Sequence, residues 1–541
     1  MHLGVIKKYK YALLLTALIL FHAVNNYIWL RQDNESLGYD VIHHANITFS
    51  IRQDLLKIFL SGESPAEKLK SFIFLFTHVT QGSLVWPRLF HFIAALMSSF
   101  VSHQEDVFFW IRFSNILYFA ILIVSIYLLG KKILSPAGGF LAAFFISLYP
   151  GVFGLSRKYG LDFPLIAIVS LAIYFLLSCD GFKKRSYSLF FGIASGLGML
   201  IKCQFALFII GPFLYTVFQE FISRQNKRNI FLNISIFITL FLAISLVWWH
   251  NILSSVSRIS LPGDISLEKG RISYSLIYYL GVFYYNISPL LFAMFILGLA
   301  YLKNLKKLGL FFLLWFLVPY LFFSLFVLYN HERYVFPVFG AVALISANGL
   351  LRISNKRIKT ALIFFFVFMG FIQFFKLSYN YCWSPFFASS WIVHPPQKRN
   401  HRLIMTEFNQ IIQSDSSPEK SIAIIEERYF RGDSCLLLSY YLKLLNDKND
   451  ISLSADGVIC PRSQVSGESL SKVNNSEFVI AFSRSPTEPD LSGLLRFSDA
   501  STRAAAQDAL RQLRKYRILK RSVLSPNGID IFLLKKEKPA P

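Results

Sequence analysis

Charge is scarce in this sequence. Of its 541 residues only 16% are Asp, Glu, Lys or Arg, against about 25% in a soluble domain. Acids are the scarcer sign, 31 against 55 bases. The deficit runs along extended apolar stretches, with 56 Phe and a mean hydropathy of +0.48. An ordinary water-soluble globule is excluded, and the chain belongs in a bilayer. Cysteine is also sparse: residues 179, 203, 382, 435 and 460 form no CxxC pair and no zinc spacing, so no structural metal is expected. Cys435 and Cys460 could pair, but spacing does not decide it. Internal repeats and low-complexity tracts are absent. The first apolar run is long enough to span and lacks a small-residue cleavage site, which argues against a cleavable signal peptide. A net charge of +24 would point to nucleic acid in a soluble chain. Here the cations concentrate in short loops between apolar runs, so the expected partner is the bilayer and not a nucleic acid.

Eleven apolar runs are long enough to approach a ~30 Å hydrocarbon core: about 11–30, 107–130, 137–153, 161–178, 187–201, 204–222, 230–250, 278–301, 308–328, 334–351 and 360–376. With the N-terminal Lys7, Lys8 and Lys10 placed in the cytoplasm, alternation puts each later basic loop on the same side. These carry Lys131–Lys132, Lys183–Lys184–Arg185, Arg224/Lys227/Arg228, Lys303/Lys306/Lys307 and Arg352/Lys356/Arg357/Lys359, as the positive-inside rule requires. Residues 31–106 and the tail from 377 then face outward. The long outer loop holds an amphipathic stretch and short apolar pieces suited to the interface plane; the competing reading is a folded loop with a small core of its own. In the tail, "SIAIIEE", "EFVIAFS" and "GIDIFLLKK" read as strands among polar helical stretches. The fold class expected is an α-helical multi-pass membrane module over 1–376, with its large outer loop at 31–106, followed by an extramembrane α/β domain over 377–541.

Outer loops should be poor in cations, yet Arg157, Lys158, Lys202 and Arg333 all fall on that side. Each alone can snorkel to lipid phosphate; four together suggest an anion site. Asp40, in "SLGYDVIHHAN" just beyond the first span, is either a helix-capping acid or a base for an acceptor hydroxyl. His43 and His44 are adjacent, so their side chains diverge and are unsuited to one metal. His22 with Asn25 and Asn26 suggests an interhelical hydrogen-bonding cluster. Asp162, at an outer helix start before Phe-Pro, could be a cap or a site acid. Lys202, in "GLGMLIKCQ", has no acid nearby in sequence and must meet a phosphate, a carboxylate or water. Arg333, in "NHERYVFP", can pair with Glu332 or bind a phosphate bidentately.

The ordered set of motifs resembles the GT-C glycosyltransferases that use polyprenyl-phosphate sugars, specifically the protein O-mannosyltransferase and lipid A aminoarabinose transferase group. "GYDVIHHANITFSI" stands where that family has an acidic motif, with Asp40 in the Asp position and Val41 where Glu is usual. "WPRLFHFIAAL" resembles its Pro-Pro-Leu element, with Arg88 replacing the second Pro. The run from "IRFSNILYF" through "LSRKYGLDFP" is the closest likeness. "GIASGLGMLIKCQF" aligns Lys202 with the family lysine, and "NHERYVFP" matches an Arg-Tyr…Pro opening of a late span. The resemblance covers about 1–376; the tail resembles nothing assignable.

The resemblance implies inverting sugar transfer on the outer face. Asp40 would be the base, and Asp162 a second catalytic acid that positions sugar donor or acceptor. Lys202, Arg333, Arg157 and Lys158, with Tyr39 and Arg88, would hold substrate and lipid phosphate. The partners implied are a polyprenyl-phosphate-linked sugar, the lipid bilayer, and an acceptor that is a protein, lipid A, a glycan or another lipid. No cofactor is firmly implied, since ligand spacing does not support a divalent cation. A bacterial inner membrane with an inward N-terminus and a periplasmic tail fits better than an endoplasmic reticulum membrane. The rival readings are a lipid-linked sugar flippase and a non-catalytic glycolipid-binding relative.

Overall fold

The computed structural model describes residues 2–33, 39–77, 87–101, 104–222, 227–253, 271–305, 307–327, 330–381 and 392–396. In the tail it describes 407–408, 410–412, 414, 422–426, 458–459, 478–483, 516–525 and 529–536. The chain divides into two compact units. The first comprises Met1–Leu30, Ile47–Phe100 and Phe109–Pro395, and the second Arg31–Asn46, Val101–Phe108 and Pro396–Pro541.

The helices run in the order α1 (His2–Gln32), α2 (Tyr39–Leu60), α3 (Pro65–Thr77), α4 (Leu89–Ser99), α5 (Gln104–Phe113) and α6 (Asn115–Ile133). Next come α7 (Pro136–Ser147), α8 (Pro150–Ser156), α9 (Asp162–Ser178), α10 (Arg185–Met199), α11 (Phe205–Ile222) and α12 (Lys227–Leu253). Then follow α13 (Arg271–Ile287), α14 (Pro289–Ala300), α15 (Lys307–Phe326), a 3-10 segment Glu332–Val338, α16 (Phe339–Leu351) and α17 (Lys356–Tyr379). The starts follow local chemistry. Ser135 accepts from the Gly138 amide at 3.0 Å with Pro136 in the first turn of α7, and Asn355 accepts from the Arg357 and Ile358 amides to open α17. Ser64 and Glu67 form a reciprocal capping box ahead of α3.

Each of the eleven apolar runs has a helical counterpart, but not all are simple spans. Among the described residues seven helical segments are long and apolar enough to cross a membrane. Two further pairs qualify only jointly: α7 with α8, bent by 67°, and α13 with α14, bent by 114°. Both breaks fall before a proline, Pro150 and Pro289, whose ring cannot continue a preceding helix. At the second, Ser288 takes a left-handed φ of 83°. The remaining two, α9 and α10, have 17 and 15 residues, a little under a full hydrocarbon crossing at 1.5 Å per residue. Sequence hydropathy counts apolar residues and is blind to the bends.

Packing inside the first unit is closest around α16, whose residues Phe339–Leu350 are all buried. A helix apolar on every side belongs at the centre of a bundle. It approaches α14 so nearly that a Cβ on Gly349 would stand 2.6 Å from the Gly298 Cα. A second tight contact joins the two bends. A Cβ on Gly151, in α8, would lie 2.8 Å from the Phe336 ring and 3.0 Å from Asn286 Cβ. In the outer loop, Ile51, Leu55, Leu75 and Ala95 of α2, α3 and α4 form a small core. Leu69, Ile73 and Phe74 remain more than half exposed on α3, beside Lys68 and Lys70. The loop thus combines a core of its own with an apolar surface of interfacial character.

The second unit carries a five-stranded sheet in the order β2-β1-β3-β5-β4. Its strands are β1 (Ile422–Glu426), β2 (Val458–Ile459), β3 (Phe478–Ser483), β4 (Tyr516–Ser525) and β5 (Ile529–Lys536). β1 pairs in parallel with β2 and β3, whereas β5 is antiparallel to β3 and β4. Successive residues Phe478, Val479 and Ile480 are all buried, as are Phe532, Leu533 and Leu534, so both faces of the central strands are covered. The three stretches read as strands are β1, β3 and β5, whereas β2 and β4 have no counterpart in that reading. In β4, the adjacent Lys520 and Arg521 break the alternation that marks a strand, and a bulge between Ile518 and Lys520 accommodates them. Cys435 and Cys460 lie outside the described residues.

A buried acid shared by two cations

Asp162, Lys202 and Arg333 come from three different helix ends and meet. Lys202 Nζ lies 2.6 Å from Asp162 Oδ1, and Arg333 Nε 3.4 Å from Asp162 Oδ2. Asp162 and Lys202 are each 8% exposed at the side chain, Arg333 22%. The helix-cap reading of Asp162 gives way here. Leu161 occupies the cap position of α9 without a side-chain bond, and the carboxylate is directed to the two cations. Lys202 is carried by the tight connection between α10 and α11, where its amide donates to the Gly198 carbonyl at 3.0 Å. Its ammonium also lies 5.7 Å from the Tyr334 ring centre, within cation–π range.

The 3-10 segment that presents Arg333 is held on several sides. Tyr334 stacks on Phe323 at 5.3 Å and meets His331 edge-on at 5.2 Å. Asn286 donates its amide to Glu332 Oε2 at 3.1 Å, and Asn330 donates to Ser275 Oγ at 3.0 Å. Glu332, the sequence neighbour considered for Arg333, accepts from Asn286, and Arg333 reaches Asp162 on α9. Tyr334 and Asn286 were missed from sequence. Tyr334 stands in the Arg-Tyr…Pro motif, which assigns it no role; Asn286 carries no such signal.

Arg157 departs from expectation. It is 1% exposed and belongs to another cluster, where its Nε donates to Asn26 Oδ1 at 3.0 Å and its NH1 to Ser378 Oγ at 2.9 Å. Its guanidinium lies 5.2–5.3 Å from the ring centres of Trp29, Phe153 and Phe374. Arg157 thus ties α1, α8 and α17 together. Replacing it with Met leaves Asn26 and Ser378 short of a buried partner, and a loss of about 2–4 kcal/mol is expected. Thermal unfolding of the variant checks this, with the KM for a sugar donor expected to stay near wild type. His22 also differs from its reading. Asn26 does bond across helices to Ser156 at 2.9 Å, but the His22 ring packs 4.4 Å from Phe119. Neither of its nitrogens finds a hydrogen-bond partner among the described residues.

Arg88 is buried at the start of α4 and donates to the Leu75 carbonyl at 2.6 Å. Burial pulls its pKa below the ordinary arginine value, with the Asp54 charge opposing. Its guanidinium faces the Trp248 ring at 5.8 Å. Lys158 stays partly exposed, and its carbonyl accepts from Asn115. The backbones of Tyr39 and Asp40 open α2; their side chains lie outside the described residues.

In sequence, residues 86–249 match the dolichyl-phosphate-mannose-protein mannosyltransferase family, a segment that includes Asp162 and Lys202. No curated protein is significantly similar. In fold, the chain is similar to ArnT from Cupriavidus metallidurans bound to undecaprenyl phosphate. The TM-score is 0.59 at 13% identity, over 97% of this chain and 98% of that one. The apo oligosaccharyltransferase of Archaeoglobus fulgidus gives 0.55 at 13% identity, over 97% of this chain and 74% of that one. The chain is thus a multi-pass helical membrane protein with the GT-C glycosyltransferase fold, similar over residues 86–249 to the dolichyl-phosphate-mannose-protein mannosyltransferases.

Proposed function

We propose that this protein moves a sugar from a polyprenyl-phosphate donor to an acceptor hydroxyl at the outer membrane surface, with inversion. The observation that carries the reading is the convergence of Lys202 and Arg333 on one buried carboxylate. Both cations are donors that an incoming phosphate can use at low dielectric. Likeness to a protein crystallised with undecaprenyl phosphate supports the lipid-phosphate class.

In this reading Asp40 accepts the proton of the acceptor hydroxyl as its oxygen bonds the anomeric carbon. The bond from that carbon to the phosphate oxygen breaks, and its electron pair leaves with the lipid phosphate. Lys202 and Arg333 stabilise that growing charge. Asp162 touches the two cations and is a positioning acid rather than the base. Residues 1–376 form the transferase module and 377–541 an outer domain that shapes the acceptor site. The acceptor is a protein hydroxyl, lipid A, a glycan or another lipid, and the membrane is a bacterial inner membrane with the N-terminus inward.

The test reconstitutes the full chain in vesicles with a labelled polyprenyl-phosphate sugar and hydroxyl acceptors. A new glycosidic product is expected, and Lys202→Gln should lower the rate by roughly 10²–10³. Labelled lipid crossing the bilayer without any product would replace the reading with a flippase; neither product nor crossing would leave a binding protein.

A further inference from the structure

At the opposite end of α16 from Arg333, the first turns of α17 bear a shallow, wide-open groove of about 450 Å³ along one helix face. It is lined by Lys356, Arg357, Thr360, Ala361 and Phe364. The spacing explains the lining: 356, 360 and 364 recur every four residues and so lie on one helical stripe, with 357 and 361 beside it. One end of the groove is cationic and the other aromatic. Phe364 is 71% exposed and Phe368 64%, as side chains turned to acyl chains would be.

We infer that this groove binds the headgroup of an anionic phospholipid. Lys356 and Arg357 make no ion pair with any acid among the described residues. The sequence offers none locally, since no Asp or Glu occurs between Glu332 and Glu407. Lys359 differs, because its ammonium donates to the Leu351 carbonyl at 2.8 Å. The helix end itself is already satisfied by Asn355, so the groove depends on its side chains. A phosphodiester meets them well: the guanidinium can hold two oxygens, the ammonium adds a mobile charge, and the Thr360 hydroxyl donates a third bond. The phenyl ring of Phe364 then lies where the first acyl carbons leave the headgroup. Two cations with no acid partner among the described residues favour a headgroup with net negative charge over a zwitterionic one.

The full chain is purified from bilayers containing phosphatidylglycerol and phosphatidylcholine, and retained lipid is counted by native mass spectrometry. Wild type should keep one phosphatidylglycerol, and the double variant Lys356→Gln/Arg357→Gln should hold it roughly thirtyfold more weakly. The double variant Lys131→Gln/Lys132→Gln removes equal charge elsewhere and should retain the lipid. Equal loss in both double variants, or equal retention of phosphatidylcholine, reduces the groove to unspecific surface charge and overturns the inference. Displacement of phosphatidylglycerol by stoichiometric undecaprenyl phosphate overturns it in favour of a polyprenyl phosphate. All four substituted residues are exposed, and unchanged unfolding in lipid-free detergent shows that the variants fold.

Discussion

Asp40→Asn should lower sugar transfer by roughly 10²–10⁴ while donor affinity stays within a few-fold of wild type. The range is that of a lost general base. Asn keeps the size of the side chain and its place in the first turn of α2, but it cannot take up a proton at neutral pH. The loss should therefore fall on kcat and leave KM for the sugar donor nearly unchanged, which is the mark of an interaction made only in the transition state. Val41 follows Asp40, so the adjacent position supplies no second carboxylate. Initial rates in vesicles with a labelled donor measure this directly. Transfer at the wild-type rate would remove Asp40 from the chemistry, and with it the base assignment.

The second large effect concerns Asp162→Asn, and here stability leads. The carboxylate is the counter-ion of both Lys202 and Arg333, and removing one partner of a buried pair costs about 3–5 kcal/mol because a charge is left uncompensated. With two cations exposed to each other, the variant should unfold well below wild type in lipid-free detergent. An anion of the right geometry can replace the missing charge. Added undecaprenyl phosphate should therefore raise the melting temperature of Asp162→Asn more than that of wild type. Equal shifts in the two proteins would mean that the cations do not meet the lipid phosphate, and the proposed mechanism would lose its central element.

Much of this is legible in the sequence. Apolar runs carried the order of the helices, because the bilayer imposes a length on every span, and the basic loops gave the expected sidedness. That topology put Asp162, Lys202 and Arg333 on one side, and they meet. It could not distinguish Arg157, which falls on the same expected side but is held by Asn26 and Ser378, 131 and 221 residues distant. A cation at a helix end reads alike whether it awaits a ligand or already has partners far along the chain. The pairing of Asn286 with Glu332 was hidden for the same reason. So were the two broken spans, since Pro150 and Pro289 mark where a helix stops and say nothing of the angle at which it resumes. The β4 strand was lost to a bulge that no alternation pattern anticipates.

Those broken spans carry a further consequence. Gly151, just past one break, touches Asn286, just before the other, and Phe336, in the segment that presents Arg333. Half-helices that end inside a bilayer adjust to its hydrophobic thickness by tilting about their breaks, whereas an unbroken helix tilts as a rod. A tilt of α8 or α13 would press on the segment that carries Arg333, because Gly151 leaves no room between Asn286 and Phe336. On the proposed mechanism, acyl-chain length would then bear on the seat of Arg333, and transfer rates compared in thin and thick bilayers of equal headgroup are expected to differ.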